Sequence, residues 1–164
     1  MLKLPSRSTI DLALLPRQSL GPFCLGGSRE DIRAAAERLA WPLSSERENL
    51  DYFALNSIQV EYENGVAAFI GVANEPTLFT LIYRNNNLFD LASDRVFDLF
   101  SEIDGAVTDY DSCGHTFHNL IVTLWEADEQ YDHVRRMNGE PLRPVWGQIG
   151  IGAPEYLSAI ARFR

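Results

Sequence analysis

Residues 109 to 125, DYDSCGHTFHNLIVTLW, gather two acids, a cysteine and two histidines into ten positions before running into apolar residues. Three chemistries use such side chains: calcium binding, zinc binding and attack by a thiol. A calcium loop needs oxygen ligands at alternate positions and a closing carboxylate. DYDSCG begins like one, but Cys113 stands at the third ligand position and Leu120 at the closing one, so calcium is rejected. For zinc, Cys113, His115 and His118 have the spacing C-x-H-x-x-H. On a strand Cys113 and His115 point one way and His118 the other, so they do not converge without a bulge. No second cluster helps, since His133 is the only other histidine. A Cys–His pair side by side on a strand, without a glycine-rich oxyanion loop, makes a poor nucleophile site. The stretch is expected to be a strand whose polar positions face water or cover the edge of the core.

The other candidates fall to similar arguments. Trp41, Trp125 and Trp146 could stack a ligand, but large aromatics in a chain of this size are expected in the core. GQIGIGAP, residues 147 to 154, is a glycine-spaced strand and not a dinucleotide fingerprint, because no βαβ crossover surrounds it. Cys24 and Cys113 are too few for a disulfide framework and are expected as reduced thiols. No catalytic constellation survives, so the chain is expected to be non-enzymatic, with no metal and no cofactor.

The elements that position these residues alternate between two periods. STIDLALLP places Ile10, Leu12 and Leu14 on one side of a strand or extended arm. Ser28 followed by Asp31 caps a helix whose inner face is Ile32, Ala35, Ala36 and Leu39, stopped by Pro42. SIQVEYENGVAAFIGV is the clearest signal: Asn64-Gly65 is the preferred type I′ hairpin turn. Folding about it pairs Tyr62 with Ala67, Val60 with Phe69 and Ile58 with Gly71, leaving Gln59, Glu61 and Glu63 on a wetter face. TLFTLIYRNNNLFDL repeats the strand–turn–strand theme. A second helix over residues 93 to 104 is expected to be capped by Ser93, with Val96, Leu99, Phe100 and Ile103 inward. Strands at LIVTLW and VWGQIGI, a polar loop from Glu126 to Pro144, and a terminal helix opened by Pro154 complete the chain. The fold class is α+β: one domain over residues 1–164, with an antiparallel sheet of about five to seven strands on two main helices. The likeness of LGGSREDIR to LASDRVFDL raises a duplicated strand–helix–hairpin unit as a variant of that fold.

Length and charge bound the function. A chain of 164 residues buries roughly 68–70% of its unfolded surface, enough for a real core. The first residues are broken by Pro5, Arg7, Asp11 and Pro16, unlike a signal peptide or membrane span, so a soluble cytoplasmic protein is expected. The net charge of −9 argues against nucleic-acid binding, which needs a basic surface. The acidity is regional: residues 88 to 132 hold eleven acids and one base, Arg95, whereas residues 1 to 50 hold six acids and seven bases. Asp94, Asp98 and Glu102 fall at i, i+4 and i+8 of the second helix, forming a one-signed ridge that costs about 0.2–0.5 kcal/mol per like-charge step. Such a ridge suits electrostatic capture of a basic partner, although a solvated helix face explains it as well. The partner-binding surface is expected to comprise Asp90, Asp94, Asp98, Glu102, Asp109 and Asp111.

GPFCLGGSREDIR, the QVEYENGVAAFIGV hairpin, LFDLASDRVFDLF, HTFHNLIVTLW and the WGQIGIG strand follow in an order, over roughly residues 20 to 151, that resembles small bacterial cytoplasmic immunity proteins of polymorphic and contact-dependent toxin systems. The resemblance implies a protein that binds and blocks a cognate toxin domain, one that is basic around its active site. The alternative, from another class, is an acidic secretion chaperone for an effector protein. Neither nucleic acid nor membrane is expected as a partner.

Overall fold

The computed structural model describes residues 9–105 and 108–162. Alternation of Leu12 and Leu14 with exposed neighbours yields strand β1 (Ile10–Leu15), which turns back through β2 (Ser19–Leu20) and β3 (Phe23–Cys24). Helix α1 (Arg29–Arg38) follows, with the Ser28 hydroxyl accepting the Asp31 N–H at 3.1 Å, the cap that the sequence called for. A meander of β4 (Leu43–Arg47), β5 (Leu50–Phe53), β6 (Ile58–Glu63) and β7 (Val66–Ala73) comes next. The second half repeats that order: β8 (Phe79–Tyr83), β9 (Asn86–Asn87), α2 (Ser93–Asp104), β10 (Gly114–Phe117) and β11 (Val122–Asp128). The polar loop then contains a short helix, α3 (His133–Met137), before β12 (Val145–Gly152) and α4 (Pro154–Ala161), whose first residue is proline.

The protein is α+β, with one sheet of seven strands in the order β10-β11-β12-β7-β6-β5-β4 and one of five in the order β3-β2-β1-β8-β9. All pairings are antiparallel except β1 with β8, where Ile10 to Ala13 lie parallel to Phe79 to Ile82. The large sheet buries one face. Ile58, Val60, Ile70, Val72, Val122, Leu124, Ile149 and Ile151 meet the helices and the small sheet there. An unbroken series of ring contacts joins the layers, from Phe53 through Phe23, Trp41 and Phe79 to Phe89, and from Tyr83 through Phe100 to Phe117. Trp41 and Trp146 are core residues as expected; Trp125 is not, with 51% of its surface exposed.

Two local expectations are corrected. The Asn64-Gly65 turn has the positive φ pair of a type I′ turn, 52° and 80°, and Tyr62 faces Ala67. Beyond that pair the register slips by one, so Glu61 faces Phe69, Val60 faces Ile70 and Ile58 faces Val72. The start of β7 bonds a third segment: Ala67 exchanges backbone hydrogen bonds of 2.8 Å with Gly26 and Gly27, and the Ala68 carbonyl accepts the Ala153 N–H. An extra residue is absorbed there as a bulge. In α2 the capping position is Ala92, not Ser93. Ser93 is drawn into the first turn because its hydroxyl hydrogen-bonds Tyr110 at 2.8 Å and its carbonyl accepts the Trp146 indole N–H at 2.9 Å.

Helix α1 is fastened to the sheet by charge. The carboxylate of Asp51, on β5, is fully buried and accepts from Arg29 at 2.6 Å, Arg33 at 2.9 Å and the Tyr62 hydroxyl at 2.9 Å. Burial alone would push its pKa up, but the Arg33, Arg29 and Tyr62 hydrogen bonds outweigh it and hold the group at about 2. Among the described residues no helix is long and apolar enough to cross a membrane.

Candidate functional site

Helix α2 buries Val96, Phe97 and Phe100, with Leu99 and Ile103 packed at the core's margin. Its 3.6-residue period therefore turns Asp94, Asp98 and Glu102 to solvent, and all three are exposed. Asp90 lies exposed in the turn before the helix. The Ser93–Tyr110 hydrogen bond brings the segment carrying Asp109 and Asp111, both exposed, beside the first turn of α2. Tyr110 is itself exposed between them, with its ring set edge-on against Phe97. All six acids singled out from the sequence are thus on the surface. Among the described residues none of them forms an ion pair.

The neighbouring acids are different in kind. Asp104 is buried and structural: its carboxylate accepts the Leu120 N–H at 2.8 Å and its carbonyl accepts from Asn119 at 2.9 Å, tying α2 to the β10–β11 turn. Asp132 is also buried, accepting the backbone N–H of Arg143 and facing the Arg135 guanidinium at 3.8 Å. Asp128 caps the turn before α3. Asp111 straddles both groups, since it also accepts the Cys113 N–H at 2.8 Å. Two cations border the surface among the described residues: Arg95, exposed on α2 between Asp94 and Asp98, and Arg143, a guanidinium nitrogen of which donates to the Asp90 carbonyl.

The cysteine–histidine stretch resolves as aromatic packing. Strand β10 spans Gly114–Phe117, so Cys113 and His118 lie outside it. His115 sets its ring edge-on against Phe117 at 4.5 Å and Phe97 at 5.5 Å. Burial, then His118, lowers its pKa, with Asp104 and Asp111 opposing. Among the described residues no group of His, Cys, Asp or Glu is arranged to hold a metal ion. Cys24 and Cys113 are free, exposed thiols.

The outer face of the large sheet holds a further feature, one that the sequence does not announce as a site. Registers across the strands align Thr116, Thr123, Gly150, Gly71 and Gln59 in one transverse row. With glycine at both central positions the row is a trough of about 460 Å³. The Phe69 ring lies over its floor: a Cβ at Gly150 would meet that ring at 2.5 Å. Tyr156 of α4 stacks on Phe69 at 4.6 Å, while Trp125 and Gln148, paired across β11 and β12, form the opposite wall. Isolated glycines inside the VWGQIGIG strand were the available signal, since glycine in a strand marks close approach. What they approach depends on registers that sequence does not supply.

Comparison with models of protein families, with curated proteins and with solved structures finds no match to this chain.

Proposed function

We propose that the protein is a non-enzymatic, cytoplasmic immunity protein that binds a basic toxin domain through the α2 face and blocks it. The observation that carries this reading is the exposed, one-signed ridge of Asp94, Asp98 and Glu102, which has no ion-pair partners among the described residues. Fields of one sign steer a complementary partner and raise its association rate. Asp90, Asp109 and Asp111 widen the surface, and Tyr110 supplies the kind of exposed aromatic anchor that dominates binding energy at interfaces. The segment from Asp109 is fastened to α2 and to β11, where the Glu126 N–H bonds the Cys113 carbonyl, so the surface is largely pre-ordered.

The test is association kinetics against the toxin domain encoded by the neighbouring upstream gene, at two salt concentrations. The Asp98→Lys, Glu102→Lys double variant should associate at least about tenfold more slowly at low salt, with a flatter salt dependence. Wild-type association by that variant at both salts would remove the ridge from the interface. The second reading, a secretion chaperone, rests on a different feature: a cleft of about 540 Å³ lined by Leu15, Ile82, Ile103 and Leu120. Leu15 is 48% exposed there, as suits a site for an unfolded apolar segment. Binding of an unfolded effector segment, with no affinity for a folded toxin, would favour the chaperone.

A further inference from the structure

The trough on the outer face of the large sheet has the construction of a ligand site, and its chemistry points to one class of ligand. Its volume, about 460 Å³, lies in the range of roughly 300–1,000 Å³ typical of small-molecule sites. At its β6 end the Glu61 carboxylate is half-buried, and among the described residues it has no ion-pair partner. Burial pushes its pKa up, the Gln59 amide opposes, and Glu63 adds to the rise. Nearby, burial and then the Glu61 charge raise the Tyr156 hydroxyl to about 12. The Gln148 amide donates to the Gln59 carbonyl at 3.3 Å, which leaves the Gln148 carbonyl available as an acceptor.

These groups sort possible ligands. The lining carries two histidines, His115 and His118, and no lysine or arginine. Burial lowers the His115 pKa, so phosphate or a carboxylate would meet Glu61 with no permanent cation beside it. A neutral polyol would find hydrogen bonds but leave the carboxylate desolvated and unpaired, which is costly. An ammonium or guanidinium group relieves that cost and can also lie against the Tyr156 ring, while Trp125 on the opposite wall offers an apolar surface to the rest of the ligand. We propose that the trough binds a small organic cation, its charged group at the Glu61 carboxylate beside the Tyr156 ring and the rest of the molecule directed along the trough toward Trp125.

The test is titration of the isotopically labelled full chain by NMR, following the Trp125 indole N–H and the Gln148 side-chain amide. Arginine amide and choline are the cationic probes, cellobiose the neutral one and inorganic phosphate the anionic one. A capped arginine-rich peptide tests the same chemistry presented on a protein chain. Either small cation should shift both reporters saturably, while cellobiose and phosphate do not. Glu61→Gln, which keeps the volume, should weaken cation binding about tenfold or more. Trp125→Ala, at an exposed position, should weaken arginine amide binding about threefold through lost ring packing at the far wall. Unchanged affinity in Glu61→Gln, no response to either small cation, preference for cellobiose or phosphate, or binding of the peptide alone would each overturn the proposal. Spectra of the variants without ligand establish that they remain folded, and Trp125→Ala provides an independent readout should Glu61→Gln not fold.

Discussion

Replacing Asp51 by asparagine removes one negative charge from the most enclosed ionic contact among the described residues and leaves the shape almost unchanged. The wild-type carboxylate is fully buried and is held by Arg29, Arg33 and Tyr62. Its pKa falls from 3.8 to about 2 on folding. At about 1.36 kcal/mol per pH unit, that difference corresponds to about 2.5 kcal/mol of stability at neutral pH. The sign follows from the depressed folded value: the contribution is complete above the unfolded pKa and is lost as pH falls through the folded one. About half of it survives at pH 3. Both arginines are partly exposed and recover hydration when the charge goes, which keeps the cost of Asp51→Asn at about 2–3 kcal/mol, below that of a fully buried broken pair. Urea denaturation of wild type and variant at pH 7 and pH 3 measures it. The gap should be about 2–3 kcal/mol at pH 7 and about 1 kcal/mol smaller at pH 3. A gap under about 0.5 kcal/mol at pH 7, or one that does not narrow in acid, would refute the claim that this ion cluster fastens α1 to the sheet.

Gly65→Val should destabilise the fold by about 1–2 kcal/mol in urea, through backbone strain alone. Gly65 has φ +80°, and a Cβ there meets nothing within 4 Å, so no loss of stability would mean the turn is not type I′. Protein purified without chelator should carry no stoichiometric transition metal after dialysis; one zinc per chain by elemental analysis would reverse the rejection of Cys113, His115 and His118 as ligands.

Much of the fold was legible because its signals are local. Ser28 capping α1, the positive-φ turn at Asn64-Gly65 and Pro154 opening α4 each depend on a few adjacent residues. The α2 ridge was equally readable, since a helix with Val96 and Phe100 inward has to turn Asp98 outward. What escaped the sequence depends on distant partners. The hairpin slips register because Ala67 bonds the Gly26–Gly27 loop, some forty residues earlier in the chain. Asp51 sits in LDYF, an alternating strand whose acid would be assigned to solvent; only the approach of Arg29 and Arg33 makes it a core residue. Size alone places Trp125 in the core, yet it lies on the face of β11 opposite Leu124, and only the sheet's orientation decides which face is covered. The second sheet arises from β1 pairing parallel with β8 across the whole first half of the chain.

The separation between what holds this protein together and what it offers to a partner can be put to a single-residue test. The α2 ridge contributes no ion pair among the described residues, and the inward face of the same helix supplies the packing. Asp98→Lys alone converts the row Asp94, Asp98, Glu102 into acid, base, acid. Two repulsive steps become attractive ones, each changing by up to about 0.4–1 kcal/mol before solvent screening. The exposed Arg95 at i−3 turns from a favourable neighbour into a repulsive one, offsetting about one of those steps, so a gain of about 0.5 kcal/mol is expected at low salt. If the ridge steers a basic partner, the same substitution should slow association. Stability and association would then move in opposite directions, as they do where an unfavourable charge pattern serves binding. Thermal unfolding and association kinetics on this one variant separate the two explanations of the ridge. A more stable protein that still associates at the wild-type rate would identify it as a solvated helix face and nothing more.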